Sequence, residues 1–206
     1  MTKTINPLFI EDQPLTIYGK YKFFSCYHLF MNIDAPLLRL ALYQPDIPQN
    51  VGAAIRLCAC LDLGLDVIEP CGFPWDERKV RGAAMDYFDK LSPVRHSSWN
   101  TFRETYRDKG RVLLLTTQSD LSYSRMRFLP GDILLTGRES AGVPESVHDA
   151  ADMRIGIPMA AGLRSLNVIN AAAMVLGEAL RQTRWNITPG SDKKQGSVLK
   201  AKDADP

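Results

Sequence analysis

The feature of this sequence that most constrains its fold is the alternation, from residue 38 onward, of short apolar runs with helical patterns. The apolar runs are nearly continuous, as expected for strands of a sheet that is covered on both faces. Strands that alternate with helices form parallel sheets. We therefore predict an α/β fold with a mostly parallel sheet flanked by helices. The predicted strands are residues 38–43, 66–69, 111–117, 132–136 and 153–157, and the predicted helices are residues 50–63, 98–108 and 165–184.

The chain divides into one patterned domain and two flanking segments. Residues 1–36 hold three prolines and an aromatic cluster but no sustained period, so we interpret them as an N-terminal extension. Residues 37–186 form the predicted domain, which is long enough to bury one full-sized core. Residues 187–206 have almost nothing to bury and are expected to be disordered. A further hypothesis is that Met31 is the natural start, and an intact N-terminal peptide of the native protein in mass spectrometry would reject it.

Composition and charge narrow the functional classes. Lys and Arg number 25 against 23 Asp and Glu, a net charge of +2, so any contact with nucleic acid must be a local patch. The cysteines lack a CxxC spacing and the histidines are scattered, which supports neither a metal site nor a disulfide framework. Cys58 and Cys60 fall in an apolar helical pattern and are interpreted as reduced, buried thiols. With no long apolar run and no signal-peptide pattern, we expect a cytoplasmic protein that does not enter a membrane.

Three loops that follow predicted strands have unusual sequences. An α/β sheet usually binds ligands at the carboxyl ends of its strands, where these loops lie. They read QPDIPQNVGAAIR, TGRESAGVP and IPMAAGLRSLNVINAA, and Asn50 and Ser165 are expected to begin the helices that follow the first and last. Gly137 and Gly142 permit close approach of a ligand. Because charges are few and neither GxGxxG nor GxxxxGK[ST] is present, we predict a backbone-lined pocket for a nucleotide-like cofactor and not for a dinucleotide.

Four segments in order carry a specific resemblance. They are PDIPQNVGAAIRLC, IEPCGFPWDERKVRGAAMDY, TGRESAGVP and IPMAAGLRSLNVINAAAMV. Together they resemble the motifs of the SpoU branch of the SPOUT RNA methyltransferases, and they are most similar to the short TrmL-type tRNA (cytidine/uridine-34-2'-O)-methyltransferases. The resemblance covers about residues 38–184. Four ordered motifs discriminate far better than any single one.

The resemblance implies a fold, a reaction and a set of residues. It implies a C-terminal trefoil knot, a rare exception to the unknotted rule, with loops that bind S-adenosylmethionine in a bent shape. It also implies a homodimer that transfers a methyl group to the ribose 2'-hydroxyl of a tRNA wobble nucleotide. The cofactor-binding residues that it implies are Leu115, Thr116, Gly137, Ile157, Ser165 and Leu166. The catalytic or substrate-side residues that it implies are Asn50, Arg56, Glu139, Ser165 and Asn167.

The resemblance nominates Arg56 for activating the 2'-hydroxyl. A guanidinium is effectively always protonated and cannot accept a proton. We therefore expect Arg56 to stabilise the developing alkoxide or to clamp the adjacent phosphate, with the proton leaving to phosphate or water. The sequence leaves two roles open for Glu139. It either takes part in catalysis or accepts hydrogen bonds from backbone amides of the glycine loop. The sulfonium supplies the reactivity, so no metal is expected.

RNA contact is expected from local basic residues, and the sequence also departs from its relatives at two positions. Gly156 stands where close relatives often carry a basic residue, and Arg154, which points the same way in a strand, is its candidate substitute. Ile169 stands where a small hydroxyl residue is common. The predicted RNA-binding residues are Arg78, Lys79, Arg81, Arg154 and Arg164.

Two other functions stay open from the sequence. The first is a 2'-O-methyltransferase of the same class that acts on ribosomal RNA or on other tRNA positions, although such relatives commonly add an RNA-binding domain. The second is a knotted RNA-binding factor without catalytic activity, which would have no need for S-adenosylmethionine.

Overall fold

The computed structural model describes residues 38–184, and a six-stranded sheet lies at the centre of this part of the chain. The strand order is β3-β2-β1-β5-β4-β6, and every neighbouring pair is parallel. The predicted fold class, a parallel sheet flanked by helices, is confirmed. The expectations for residues 1–36, Met31 and residues 187–206 lie outside the described residues. The strands are β1 (Arg39–Tyr43), β2 (Gly64–Ile68), β3 (Val94–His96), β4 (Val112–Leu115), β5 (Ile133–Thr136) and β6 (Met153–Ile155).

Helices connect the strands and cover the sheet on both faces. Because strand side chains alternate, Leu40 and Leu42 of β1 point into one core and Ala41 and Tyr43 into the other. The first core is closed by α1, α2 and α5, and the second by α3 and α4. The helices are α1 (Pro48–Leu61), α2 (Glu77–Ala84), α3 (Trp99–Thr105), α4 (Glu145–Ala150) and α5 (Val168–Thr183), with short 3₁₀ turns at Met85–Tyr87 and Tyr123–Arg125.

Three short elements were not predicted from the sequence. Helix α2 is mostly charged and buries only Val80 and Ala84, which are four residues apart. Strand β3 has three residues, of which only His96 is buried. Helix α4 has six residues and buries Val147 and His148. In each case too few apolar positions exist for a period to emerge, so packing against the sheet decides the structure.

Two helices begin at residues other than those predicted from the sequence. Helix α1 begins at Pro48 after Ile47, and Asn50 lies inside it, so the prediction that Asn50 caps this helix is wrong. Helix α5 begins at Val168 rather than at Ser165, because the Asn167 side chain accepts hydrogen bonds from the Ile169 and Asn170 backbone amides at 3.0 and 3.2 Å.

The two helical cysteines differ from each other. Cys58 is fully buried, as predicted, and burial raises the pKa of its thiol to about 12. Cys60 is exposed, so the prediction of burial was wrong there. The two residues are two positions apart in α1 and therefore point in nearly opposite directions from the helix axis.

Helices α1 and α2 pack against each other at close range. A Cβ atom built on Gly52 would lie 2.4 Å from the Cβ of Ala83 and 2.6 Å from its carbonyl carbon. Only a glycine at position 52 allows this approach. The contact fixes the position of α1, which carries Asn50 and Arg56.

A buried carboxylate ties β2 to its neighbours. Asp66 is fully buried and accepts hydrogen bonds from Arg39 Nε at 2.7 Å and from the Tyr106 hydroxyl at 2.8 Å. His96 Nε2 lies 2.8 Å from the same carboxylate. Burial and the neighbouring Asp66 raise the pKa of Tyr106, which keeps its hydroxyl as a donor. The three partners satisfy the buried carboxyl group, and this network joins β1, β2, β3 and the end of α3.

Candidate active site

A cavity of about 590 Å³ opens at the carboxyl ends of β4 and β5. Its wall is formed by three loops, which follow β4, β5 and β6, and by the start of α1. This is the edge of the sheet where the sequence predicted a pocket, and the volume suits a small ligand. The predicted site residues that line it are Asn50, Leu115, Thr116, Gly137, Glu139, Ile157, Arg164, Ser165, Leu166 and Asn167.

Three of the predicted polar residues form one hydrogen-bonded chain. Asn50 donates from Nδ2 to Glu139 Oε1 at 2.7 Å, and Asn167 donates from Nδ2 to Asn50 Oδ1 at 3.2 Å. The three residues come from α1, from the loop after β5 and from the cap of α5. The structure therefore joins, at one edge of the cavity, residues that are up to 117 positions apart in the sequence.

Both oxygens of the Glu139 carboxylate are engaged. Oε1 accepts from Asn50, and Oε2 accepts from the backbone amide of Asp46 at 2.7 Å. Glu139 is thus an acceptor for a backbone amide, as one of the two interpretations held, but the amide belongs to the loop after β1 and not to the glycine loop. A carboxylate that accepts two such bonds orients its neighbours.

A second set of contacts ties the TGRES loop to the loop after β1. Asp46 accepts hydrogen bonds from Arg138 Nη2 at 2.6 Å and from Ser140 through its hydroxyl at 2.6 Å and its backbone amide at 3.1 Å. These contacts, the Arg138 hydrogen bond first among them, lower the pKa of Asp46 from 3.8 to about 2. Asp46 is therefore ionised at neutral pH and holds the TGRES loop against the loop after β1. Arg138 was not singled out from the sequence, although it stands between Gly137 and Glu139 in the motif.

The backbone of this loop requires glycine at two positions. Gly142 has φ +67°, a conformation that L side chains rarely adopt. A Cβ on Gly137 would lie 2.7 Å from the carbonyl carbon of Gly142, because the loop folds back on itself with Arg138 and Gly142 exchanging backbone hydrogen bonds at 2.9 Å. The fold-back leaves the backbone of Gly137 at the cavity wall.

The rest of the wall combines apolar side chains with one buried polar group. Leu115, Ile157 and Leu166 supply apolar side chains to the wall. His148 of α4 also lines the cavity while being only 6% exposed. Sequence reasoning missed it because it missed α4, and no local pattern marks this histidine.

Arg56 lies outside the lining of this cavity. Its side chain is exposed on α1, with Nη1 3.8 Å from the Met85 sulfur and the guanidinium 5.3 Å from the centre of the Tyr87 ring. Asn50 and Arg56 are six residues apart, about 9 Å along the helix axis and on different faces. The structure thus groups the other four predicted catalytic residues and leaves Arg56 apart from them.

The predicted RNA-binding residues are dispersed. Arg78 and Lys79 are exposed on α2 and make no ion pair with any residue between 38 and 184, whereas Arg81 pairs with both Glu77 and Asp89. Arg164 is exposed and lines the cavity.

Arg154 is occupied by local contacts. It donates to the His148 carbonyl at 3.1 Å and to Asp149 at 2.9 Å, and it does not line the cavity in place of a basic residue at position 156. A Cβ on Gly156 would lie 3.2 Å from the carbonyl oxygens of Thr116 and Ser119, so a side chain at this position would require a small shift of the loop after β4.

None of the helices between residues 38 and 184 has both the length and the apolar character that crossing a bilayer requires. Within the same span, no three His, Cys, Asp or Glu side chains are grouped in a way that could hold a metal ion.

The parallel sheet and the cavity at its carboxyl edge define an α/β protein whose loops after the strands surround a cavity of a size that suits a small ligand. Comparison with known proteins specifies the family. The model of the SpoU rRNA Methylase family matches residues 37–177. The chain belongs to this family, as the sequence motifs indicated.

Relatives and solved structures agree with this assignment. The tRNA (cytidine(34)-2'-O)-methyltransferase of Beijerinckia indica subsp. indica is 56% identical over 144 residues, which are 69% of this chain and 90% of that protein. A solved structure described as "Structural insights into the 2-OH methylation of C/U34 on tRNA" superposes with a TM-score of 0.67 at 37% identity, covering 71% of this chain and 96% of that one. The SpoU methyltransferase AviRb from Streptomyces viridochromogenes, solved in complex with AdoMet, superposes with a TM-score of 0.63 at 28% identity, covering 73% and 62% of the two chains.

Proposed function

We propose that this protein transfers a methyl group from S-adenosylmethionine to the ribose 2'-hydroxyl of nucleotide 34, a cytidine or uridine, in tRNA. The observation that carries the proposal is the hydrogen-bonded chain of Glu139, Asn50 and Asn167 at the edge of a ligand-sized cavity. Proteins to which the chain is similar over most of its length are named for this reaction.

The residues of the cavity fit the cofactor. Leu115, Ile157 and Leu166 would enclose its apolar and heterocyclic parts, and the backbone at Gly137 and the Ser165 segment would provide hydrogen bonds. The buried His148 nitrogen, which has no partner within residues 38–184, also calls for a polar ligand group. When bound, S-adenosylmethionine supplies a methyl group on a positively charged sulfur, and methyl transfer leaves the neutral thioether S-adenosylhomocysteine.

The chain's own residues position the acceptor and stabilise the charge that develops on it. Asn50 is held by Glu139 and Asn167, so its amide has a fixed orientation at the edge of the cavity. Arg56 is exposed and carries a permanent charge, so we assign it to the RNA side, where it stabilises the developing alkoxide or holds the adjacent phosphate. The hydroxyl proton leaves to that phosphate or to water, since neither a guanidinium nor a carboxylate that already accepts two hydrogen bonds suits the task.

The proposal extends to the knot and to assembly. The segment between β6 and α5 lies beside the loops after β4 and β5, since all three line one cavity, and this arrangement supports a trefoil knot. A crystal structure traced through residues 156–184 tests it, and an unthreaded path would refute it.

Met174 of α5 is 45% exposed and Leu163 is 68% exposed, which supports a homodimer. Light scattering should then give twice the 23.0 kDa mass of the chain, and a monomer at micromolar concentration would contradict it. With tRNA as its substrate, the protein would act in the cytoplasm.

Methylation of natural tRNA tests the reaction. Total tRNA from a strain that lacks this gene should have lost the 2'-O-methyl group at nucleotide 34 of particular tRNAs. Incubation of that tRNA with the purified full chain and labelled S-adenosylmethionine should restore the group at that nucleotide and no other. Ribosomal RNA from the same strain serves as the control and should take up no label. Label in ribosomal RNA or at another tRNA position would replace the proposed target, and no label in any RNA would indicate a non-catalytic factor.

A further inference from the structure

A buried histidine on the cavity wall lies outside the hydrogen-bonded chain of Glu139, Asn50 and Asn167. His148 lies in α4, and its backbone is held firmly, because its amide donates to the Pro144 carbonyl at 3.1 Å and its carbonyl accepts from Arg154 Nε at 3.1 Å. The residue is only 6% exposed and lines the cavity. The fold therefore delivers an imidazole to the inside of the ligand site in a defined position.

The imidazole is incompletely satisfied. Its Nδ1 atom is buried and has no hydrogen-bond partner within residues 38–184. It is the single buried side-chain nitrogen or oxygen in that span with this property. The comparably buried His96, by contrast, has its Nε2 atom 2.8 Å from the Asp66 carboxylate. Because an unpartnered polar atom destabilises a buried position, a residue of this kind on a cavity wall is explained when a ligand supplies the missing partner.

The chemistry of the imidazole side chain selects one half of the cofactor. Its ring nitrogens can donate or accept a hydrogen bond, which matches the hydroxyl groups, the amine and the ring nitrogens of adenosine. The carboxylate of the methionine half is better matched by an exposed cationic side chain such as Arg164, and its ammonium is better matched by solvent. We propose that His148 hydrogen-bonds the adenosine half of S-adenosylmethionine and is a specificity residue of the cavity. This inference rests on the proposed function, since it takes S-adenosylmethionine as the ligand.

Calorimetry with two ligands and two variants tests the contact. The ligands are S-adenosylhomocysteine and 5'-methylthioadenosine, which lacks the amino-acid part. The variants of the full chain are His148→Leu, which keeps bulk and removes the polar atoms, and His148→Asn, which keeps a polar atom near the position of Nδ1. We expect His148→Leu to weaken both ligands by about tenfold and by the same factor, and His148→Asn to stay within about threefold of the unaltered protein.

The outcomes separate the possibilities. If His148→Leu binds both ligands as tightly as the unaltered protein, or loses affinity for S-adenosylhomocysteine alone, the contact with adenosine is refuted. Should a variant fail to fold, ¹⁵N spectra of the imidazole in the unaltered protein decide, because both ring nitrogens should shift when 5'-methylthioadenosine is added, and unchanged resonances would refute the contact. If the unaltered protein binds neither ligand, the assignment of S-adenosylmethionine as the cofactor fails, and the proposed contact of His148 fails with it.

Discussion

The Asn50 amide donates to the Glu139 carboxylate at 2.7 Å across 89 positions of sequence. This bond connects the first helix to the loop after β5, and the other carboxylate oxygen of Glu139 connects the same loop to the Asp46 amide. Glu139 is therefore the point at which two of the three motif loops meet. Substitution of Glu139 can distinguish a role in orienting these loops from a role as proton acceptor.

Glu139→Ala should lower the free energy of unfolding by about 1–3 kcal/mol, because the Asn50 and Asp46 donors lose their acceptor. Glu139→Gln should cost less, since it keeps one acceptor oxygen, and it should retain a measurable rate of methyl transfer. Urea unfolding and initial rates check both. Wild-type stability in Glu139→Ala, or complete loss of activity in a stable Glu139→Gln protein, would argue against the orienting role.

The contact between Asp46 and Arg138 predicts a stability that depends on pH. The folded state lowers the pKa of Asp46 from 3.8 to about 2, so the unfolded chain binds the proton more tightly. The stabilisation is therefore complete above about pH 4 and is lost as the pH falls toward 2. Asp46→Asn removes this titration, so the difference in unfolding free energy between the two proteins should be larger at pH 6 than at pH 3. An equal difference at both values would contradict the prediction.

Gly52→Ala should destabilise the protein, although alanine is the better helix former. The added Cβ would meet Ala83 at 2.4 Å, and forcing α1 and α2 apart typically costs about 1–3 kcal/mol. Gly82→Ala is the matched control, because a Cβ at that position of α2 meets no atom within 4 Å. The control should be neutral or stabilising by up to about 1 kcal/mol. Similar unfolding midpoints for both variants would refute the close packing.

Basic residues of α2 should contribute unequally to tRNA binding. Arg78 and Lys79 make no ion pair with the described residues, whereas the charge of Arg81 is balanced by Glu77 and Asp89. The double variant Arg78→Ala, Lys79→Ala should weaken binding and reduce the salt slope of log K by up to about 2, while Arg81→Ala should change the slope by less than half of that. Filter binding from low to moderate salt measures the slopes. Equal slopes in all three proteins would remove this face from the RNA site.

Arg56→Ala should abolish methyl transfer and leave binding of S-adenosylhomocysteine unchanged, because the residue lies outside the cavity lining. Stability should hardly change, since the side chain is exposed. Arg56→Lys is the control for charge alone and should recover only part of the activity if the planar guanidinium is needed. Single-turnover rates and calorimetry check the pair, and near-normal turnover in Arg56→Ala would remove Arg56 from the reaction.

Patterns in the sequence predicted the parallel sheet and the edge at which the cavity lies. Strands such as β1 and β5 are short apolar runs, and such a run is recognised from consecutive residues alone. Helices α2 and α4 were missed because each buries only two residues, and their apolar contacts become visible only when the sheet is present. Similarly, the start of α5 shifted from Ser165 to Val168 because the Asn167 side chain competes for the backbone amides.

The sequence by itself determined the alternation of strands and helices, the family motifs and the identity of most residues that line the cavity. Only the tertiary structure decided which of those residues touch, since the hydrogen bonds of Asn50 with Glu139 and Asn167 join positions 89 and 117 residues apart. It alone brought His148 to the cavity wall and set Arg56 aside on the exposed face of α1. The physical reason is that strand and helix patterns are properties of neighbours along the chain, whereas a hydrogen bond between loops depends on how the whole sheet brings those loops together.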